Sequence, residues 1–108
     1  MGDWLGEFEQ VVLFAVLHCG DHAYGVTVRE AIEARTGRRP SAGAVYTTLE
    51  RLEARRYIAS SWGEPTRERG GKRKRYYQLQ PAGREALTRS WQALRAMARG
   101  SAQKLESS

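Results

Sequence analysis

The segment spanning residues 67–75 is the densest set of side chains in the chain that can bind an anion. Six of its nine residues are Lys or Arg and one is acidic. Two adjacent glycines let the backbone turn sharply or lie flat against another surface. Such a segment can follow the phosphates of a nucleic acid or place an Arg in its minor groove, and a solvated basic loop is the alternative. The predicted DNA-binding residues here are Arg69, Gly70, Gly71, Lys72, Arg73, Lys74 and Arg75.

A second set of candidate binding residues opens a predicted helix at Ser41. Small residues follow Ser41, so the helix N-terminus can approach a phosphate closely, where its N–H groups and positive dipole end favour an anion. Tyr46 and Thr47 come one turn later and can reach a phosphate or a base edge. For Tyr46 the alternative is packing against the hairpin, whereas Ser41 can cap the helix and contact DNA together. The predicted DNA-binding residues here are Ser41, Ala42, Gly43, Tyr46 and Thr47.

The other groups of polar residues are weaker candidates for a metal site or a catalytic site. His18, Cys19 and His22 are close in sequence, but structural zinc takes four ligands and the chain holds one cysteine and two histidines. We therefore expect no metal, with a site shared across a dimer as the alternative. No Gly-rich phosphate loop occurs at a junction between a strand and a helix, and no Ser, His and Asp have the spacing of a catalytic triad. Acidic residues on the predicted helices, such as Glu53, are interpreted as solvated. The sequence predicts neither an enzyme nor a bound cofactor.

Apolar residues at steps of three and four predict three helices before the basic segment. The first runs from Asp3 to Cys19, with Asp3 as its cap and Gly20 as its end. The second runs from about Ala23 to Arg35. The third runs from Ala42 to about Arg56, with Ser41 as its N-cap, and therefore begins with the second set of candidate residues.

Two short strands follow, Ile58 to Trp62 and Arg75 to Leu79. A polar stretch with proline and glycine separates them, which predicts a β-hairpin with the basic segment at its tip. Pro81 then opens a last helix, because proline suits the first helical position. The predicted fold is mainly α with a small β-hairpin, a winged helix-turn-helix of order α-α-α-β-β-α. Residues 1–80 form its DNA-binding domain and residues 81–108 a C-terminal dimerisation helix.

The last helix carries a coiled-coil seam, in which residues repeat at alternating steps of four and three. A seam with no later segment to cover it implies a partner helix and hence a homodimer. The predicted dimerisation residues are Leu5, Phe8, Val12, Leu87, Trp91, Leu94, Ala98 and Leu105. Trp91 is interpreted as an aromatic anchor of the dimer. Alternatively, two copies of Trp91 stack on a flat aromatic effector, with Phe8 as a second effector-binding residue.

The composition indicates which kind of binding partner and which cellular compartment to expect. The chain of 108 residues has 18 basic and 12 acidic side chains, and its net charge of +6 favours a nucleic acid over an anionic membrane surface. Charge that serves solubility alone is the alternative. The single cysteine excludes a disulfide within the chain and fits a reducing compartment. No secretory signal or membrane-spanning run is present, so we expect a cytoplasmic protein.

The sequence resembles the PadR family of bacterial transcriptional regulators from about Leu5 to Leu87. The matching stretches are residues 22–25, 41–53 and 70–79, followed by Gly83. The resemblance implies a winged-helix dimer held by its first and last helices, usually a repressor on an inverted repeat. A single C-terminal helix is similar to a short-tailed subfamily, in some members of which planar drugs bind between tryptophans at the dimer interface.

The leading hypothesis is a sequence-specific regulator that binds double-stranded DNA as a homodimer and is released by a small aromatic effector. Two recognition helices related by a two-fold axis would read two half-sites. The first alternative is a protein-interaction module whose basic loop docks an acidic partner. The second is a small-molecule sensor in which the aromatic site at the dimer interface matters more than DNA binding.

Overall fold

Among the described residues, three α-helices, a two-stranded antiparallel hairpin, a long C-terminal helix and a short final helix follow one another. The computed structural model describes residues 4–64 and 73–106. The elements are α1 (Glu7–Cys19), α2 (Gly25–Thr36), α3 (Ala42–Ala54), β1 (Ile58–Trp62), β2 (Arg75–Leu79), α4 (Pro81–Ala98) and α5 (Ala102–Glu106). This order confirms the predicted winged helix-turn-helix, and both strands have their predicted bounds. Within the described ranges, no helix combines the length and apolar character needed to cross a membrane.

The first helix begins later than predicted. Gly6 is its N-cap, and the Gly6 N–H donates to Glu9 Oε1 at 2.7 Å. The predicted start at Asp3 is therefore wrong, because Trp4 already lies outside the helix, and Asp3 itself lies outside the described residues. Gly20 ends the helix as predicted, with a φ of 56° that favours glycine.

The second helix also begins later than predicted. A 3₁₀ turn at Gly20–His22 directly follows α1, so the start of α2 moves from Ala23 to Gly25. The Thr27 hydroxyl accepts a bond of 3.0 Å from the Tyr24 N–H, which satisfies a donor at the helix entrance. Gly37 ends the helix in the left-handed conformation.

The third helix is capped as predicted. Ser41 Oγ accepts a hydrogen bond of 3.0 Å from the Ala44 N–H, an arrangement that contributes about 1 kcal/mol. The helix ends at Ala54, two residues before the predicted end. Arg56 has a φ of 65°, so the chain cannot continue as a right-handed helix at that position.

The hairpin is paired in register across its full length. Ile58 lies opposite Leu79 and Trp62 lies opposite Arg75. Ile58 and Tyr77 are buried, so the inner face of the hairpin closes one side of the core. The outer face and the far end are left to solvent, and β1 and β2 thereby become a wing beside α3.

One apolar core joins the helices to the hairpin, and α1 packs against α2, α3, β2 and α4 at its centre. The side chains that are fully buried are Val12, Leu13, Val16, Val28, Ile32, Val45, Leu49, Leu52 and Ile58. Full burial of one such aliphatic side chain contributes about 1.5–3 kcal/mol. The core therefore holds α3 and the wing in fixed positions relative to each other.

Three predicted dimerisation residues belong to this core instead of to a surface. Leu5, Val12 and Leu87 have at most 6% of their area exposed. The prediction that these side chains contact a partner is corrected, because they are already covered by the chain itself. Phe8 is half-buried and packs against the same core.

The last helix is shorter than predicted. Helix α4 ends at Ala98, and the chain turns at Gly100, whose φ is 78°, before the short α5. The prediction of one helix through Leu105 is therefore wrong, because a left-handed residue interrupts the helical hydrogen bonds. The coiled-coil seam is continuous only as far as Ala98.

Candidate nucleic-acid interface

The predicted binding residues of α3 lie together on its exposed side. Val45, Thr48, Leu49 and Leu52 are buried and fix the opposite side against the core. The exposed set is Ser41, Ala42, Gly43, Tyr46 and Thr47. The first turn carries no large side chain, so a phosphate or a base edge can approach the helix N-terminus closely.

Tyr46 packs against the start of α2, whereas the packing alternative in the sequence analysis named the hairpin. Its ring and hydroxyl lie over Gly25 at the start of α2, in the space that a Cβ at residue 25 would occupy. Its side chain nevertheless remains 44% exposed. Packing therefore holds the ring in one place while part of the residue remains accessible to solvent.

The described part of the basic segment continues this surface at the start of the wing's second strand. Arg73, Lys74 and Arg75 are exposed. The other predicted contacts of the segment lie outside the described residues: Arg69, Gly70, Gly71 and Lys72.

Lys74 is held by an aromatic pair that the sequence did not predict. Its Nζ lies 3.3 Å from the Tyr24 hydroxyl and 4.5 Å from the centre of the Tyr24 ring. The Tyr24 ring meets the Tyr76 ring edge to face, with centroids 5.5 Å apart. This arrangement connects the entrance of α2 to the wing, so the ammonium group is presented in a defined position.

Arg75 is bound to α3 by an ion pair. Arg75 Nη2 lies 3.0 Å from Glu53 Oε1, and Arg75 Nε donates to the Ser60 hydroxyl at 2.9 Å. The Ser60 hydroxyl donates in turn to Glu53 Oε2 at 2.5 Å. The interpretation of Glu53 as a solvated acid is therefore wrong, since its carboxylate joins α3 to both strands of the wing.

Trp62 is a further residue of this surface that sequence reasoning missed. It is 57% exposed, and the guanidinium carbons of Arg73 and Arg75 lie 5.9 Å and 5.7 Å from the centre of its ring. The signal that identifies it is its position directly opposite Arg75 in the predicted hairpin, because residues paired across two strands contact each other.

A cleft of about 410 Å³ lies where α3, the entrance of α2 and the wing meet. Its lining combines aromatic rings with three cations and consists of Tyr24, Val26, Tyr46, Trp62, Arg73, Lys74, Arg75 and Tyr77. Burial raises the pKa of the Tyr77 hydroxyl, while the nearby Arg75 charge lowers it to a smaller extent. The cleft therefore joins the two sets of candidate residues into one basic, aromatic surface.

In the histidine and cysteine cluster, the Cys19 thiol contacts the backbone of α2. Cys19 is partly buried, and its Sγ lies 3.5 Å from the Thr27 carbonyl oxygen as a weak donor. In the part of the chain that the structure describes, no three His, Cys, Asp or Glu side chains come close enough to hold a metal ion.

An apolar strip runs along the exposed side of α4. Trp91, Leu94 and Met97 have 45%, 56% and 80% of their area exposed. Trp91 meets Phe14 of α1 edge to face, with centroids 6.3 Å apart. Phe8, the other predicted effector residue, has the Arg38 guanidinium carbon 5.4 Å from the centre of its ring.

The chain matches a protein-family model and a curated relative. The family described as "Transcriptional regulator PadR-like family" matches residues 13–89. The transcriptional regulator Rv3488 of Mycobacterium tuberculosis is 36% identical over 96 residues, which cover 86% of this chain and 85% of that protein.

Solved structures share the fold at lower identity. A PadR family transcription regulator from Clostridium difficile R20291 has a TM-score of 0.72 at 23% identity, with coverage of 91% of this chain and 98% of that chain. A PadR-like transcriptional regulator from Bacillus cereus has a TM-score of 0.71 at 19% identity, with coverage of 94% and 92%.

Proposed function

Because this chain belongs to the PadR-like family of transcriptional regulators, we propose that it acts in the cytoplasm as a repressor, a homodimer bound to an inverted repeat in double-stranded DNA. The family consists of DNA-binding winged-helix regulators, which are not enzymes. The repression, the dimer and the inverted repeat are the parts of this function that require a test.

The observation that carries the proposal is the meeting of α3 and the wing at one cleft. Tyr46 of α3 and Lys74 of the wing line the same opening. A helix that enters the major groove and a basic wing beside it must face the same side of the molecule. The cleft provides that arrangement, and the small first turn of α3 stands beside it.

The apolar strip on α4 supports the homodimer. Trp91, Leu94 and Met97 leave a contiguous apolar side of one helix in water, which is costly for a chain of 108 residues. Two copies of the strip packed about a two-fold axis would cover it and would place two α3 helices for two half-sites. Trp91, Leu94 and Ala98 are the interface residues in this proposal, with Phe8 at its edge and Leu105 beyond the break at Gly100.

Release by a small aromatic effector belongs to the same proposal. Trp91 is half-exposed and is held from one side by Phe14. Across a two-fold axis, two such rings would form the walls of a slot for a planar molecule, and a ligand that prefers one helix spacing would change DNA affinity. Quenching of Trp91 fluorescence by a planar cationic dye, absent in Trp91→Phe, tests this part.

Footprinting on the DNA upstream of the protein's own gene tests the main proposal. We expect protection of an inverted repeat and a DNA affinity that falls steeply with salt concentration. Replacing Arg73 and Lys74 by Ala should weaken binding to all sequences and reduce the salt slope, whereas Tyr46→Ala should weaken binding to the repeat. Absence of protection, together with capture by an acidic protein, would favour the interaction module instead.

A further inference from the structure

The inner face of the wing is packed against the core at its base and becomes exposed along β1. Ile58 at the start of the strand is buried, Ser60 is half-buried, and Trp62 at the end is exposed. Tyr77, which pairs with Ser60 across the hairpin, is buried as well. A two-stranded hairpin is at best marginally stable by itself. Apolar packing therefore fixes the base of the wing, and the part beyond Ser60 needs a further connection to keep one direction.

A polar connection to α3 is present where that packing ends. Arg75 Nη2 of β2 lies 3.0 Å from Glu53 Oε1, near the end of α3. The Ser60 hydroxyl of β1 accepts a bond of 2.9 Å from Arg75 Nε and donates one of 2.5 Å to Glu53 Oε2. Each of the three side chains therefore contacts the other two, and this polar triangle joins α3 to both strands.

Two aromatic rings hold the Arg75 corner of the polar triangle in place. The Arg75 guanidinium carbon lies 5.7 Å from the centre of the Trp62 ring and 6.0 Å from that of Tyr77. Trp62 pairs directly with Arg75, and Tyr77 lies two residues along the same strand, so all three are on one face of the hairpin. A rotation of the wing away from α3 would therefore have to break the bonds to Glu53.

The polar triangle is better suited to setting a direction than to stabilising the fold. The Glu53 and Arg75 side chains keep 30% and 43% of their area exposed, and ion pairs with this much exposure contribute little to the free energy of unfolding. The apolar core holds the base of the wing without them. Loss of the polar triangle should thus leave the chain folded while the outer part of the wing changes its angle to α3.

We propose that Glu53, acting through Ser60 and Arg75, is a positioning residue that fixes the angle between α3 and the wing. This inference rests on the proposed function, because it concerns how two binding elements reach one duplex together. A helix in the major groove and a wing beside it fit at once only when their relative direction is correct. A wing that is fixed before binding also avoids the cost of ordering it on the DNA.

Glu53→Gln is a test in which the effects of position and of charge have opposite signs. Loss of a negative charge should strengthen DNA binding, whereas a loosened wing should weaken binding to the protected repeat by about three- to tenfold. Glu50→Gln is the matched control, because Glu50 is exposed on the same helix and loses the same charge. We expect only Glu53→Gln to lose affinity for the repeat, and both variants to bind unrelated DNA at least as tightly as the native protein.

Serine variants repeat the test without a change of charge. Ser60→Ala removes the hydroxyl between Glu53 and Arg75 and should lower affinity for the repeat by about three- to tenfold. Ser61→Ala removes a hydroxyl from the opposite face of the strand, and Ser60→Thr keeps one, so both should stay within about twofold of the native affinity. In a Glu53→Gln background, Ser60→Ala should add little, because both changes break the same connection.

The angle itself can be measured in the protein without DNA. Residual dipolar couplings of the backbone N–H groups report the directions of β1 and β2 relative to α3. We expect one orientation to fit the three elements in the native protein and in Ser61→Ala. In Glu53→Gln and Ser60→Ala the couplings of the wing should be smaller, as for a wing that samples several directions, while circular dichroism shows both variants folded.

Three results overturn the proposal. Wing couplings that are unchanged in Glu53→Gln and Ser60→Ala show that core packing alone fixes the angle. A gain of affinity for the repeat in Glu53→Gln, above that in Glu50→Gln, shows that Glu53 keeps Arg75 from the DNA instead of positioning the wing. Equal losses on the repeat and on unrelated DNA show a general destabilisation. If the native protein protects no duplex, the proposed function fails, and the couplings of the free protein still decide whether Glu53 fixes the wing.

Discussion

The hydroxyl of Tyr46 on α3 lies over Gly25 at the start of α2, in the space that any larger residue at position 25 would fill. The contact explains how a half-exposed tyrosine on the candidate interface keeps a fixed orientation. Gly25 itself is buried, and its lack of a side chain provides the space for the Tyr46 ring. Helices α2 and α3 therefore fit together at this point, because the Tyr46 ring occupies the space left by the missing side chain of Gly25.

Gly25→Ala should weaken DNA binding more than it weakens the fold. The new Cβ overlaps the far end of the Tyr46 side chain, and this half-exposed ring can swing away. We expect the Tm to change by only a few degrees, because alanine is also the better helix former by about 1 kcal/mol. Operator affinity, measured by fluorescence anisotropy, should fall.

The double variant isolates the cause. In a Tyr46→Ala background, Gly25→Ala no longer meets a ring, so it should have no further effect on DNA affinity. If the two substitutions instead reduce the affinity additively, Gly25 acts through something other than Tyr46.

Gly83→Ala should destabilise the fold. A Cβ at residue 83 would overlap the backbone carbonyl of Tyr57, and backbone cannot move aside as a side chain can. We expect the free energy of unfolding to fall by about 1–3 kcal/mol, the usual cost of overpacking a core. Thermal unfolding at one fixed protein concentration measures the change.

Gly43→Ala is the matched control for the stability measurement. The nearest atom to a Cβ at residue 43 is Ser41 Oγ at 4.0 Å, so the new methyl group has room. Its stability should stay within about 1 kcal/mol of the native value or increase. A loss as large as that of Gly83→Ala would remove steric overlap as the explanation.

The Tyr77 hydroxyl should lower the stability of the fold when the pH rises above about 10. Burial raises the pKa of its hydroxyl above the ordinary value of 10.0, with Arg75 opposing the shift. The contribution of the neutral Tyr77 hydroxyl to the stability of the fold is therefore complete below pH 10.0. It is lost as the pH rises further, because the hydroxyl of the unfolded chain loses its proton at a lower pH than that of the folded chain. Tyr77→Phe lacks the group, so its Tm should fall less than the native Tm above that pH.

The quantity to measure is the difference in Tm between the native protein and Tyr77→Phe as a function of pH. All other groups are common to the two proteins, so their contributions to the Tm cancel in the difference. A native-minus-variant difference in Tm that stays constant from neutral pH to about pH 11 would show that the Tyr77 hydroxyl titrates alike in the folded and unfolded chains.

Trp91→Ala should weaken the proposed dimer more than Leu105→Ala does. Trp91 lies on the continuous part of the apolar strip, whereas Leu105 follows the turn at Gly100. Removing a central aromatic anchor costs at least about 2 kcal/mol, or roughly thirtyfold in dissociation constant. Sedimentation equilibrium measures both variants, and an unchanged monomer fraction in Trp91→Ala would place the interface elsewhere.

The order of the elements could be predicted from the sequence because its signals are local. Ser41 caps α3 within one turn, and Gly20 and Gly37 end helices through their own backbone angles. The strand bounds follow from a change of residue pattern at both ends of a polar stretch. The largest boundary errors, at Asp3 and beyond Ala98, lie near the ends of the chain, where fewer tertiary contacts reinforce a periodic pattern, whereas the start of α2 and the end of α3 were wrong by two residues each.

The uses of individual side chains were decided only by the tertiary structure. The residue types and spacing marked Tyr46, Arg73 and Lys74 as candidates, but could not show that Arg75 is bound to Glu53, which lies 22 positions away. Periodicity likewise could not distinguish apolar side chains that the chain itself buries, such as Leu87, from those that remain exposed, such as Trp91. Local signals act within a few residues, whereas these outcomes depend on how α1, α3 and the hairpin pack around a shared core.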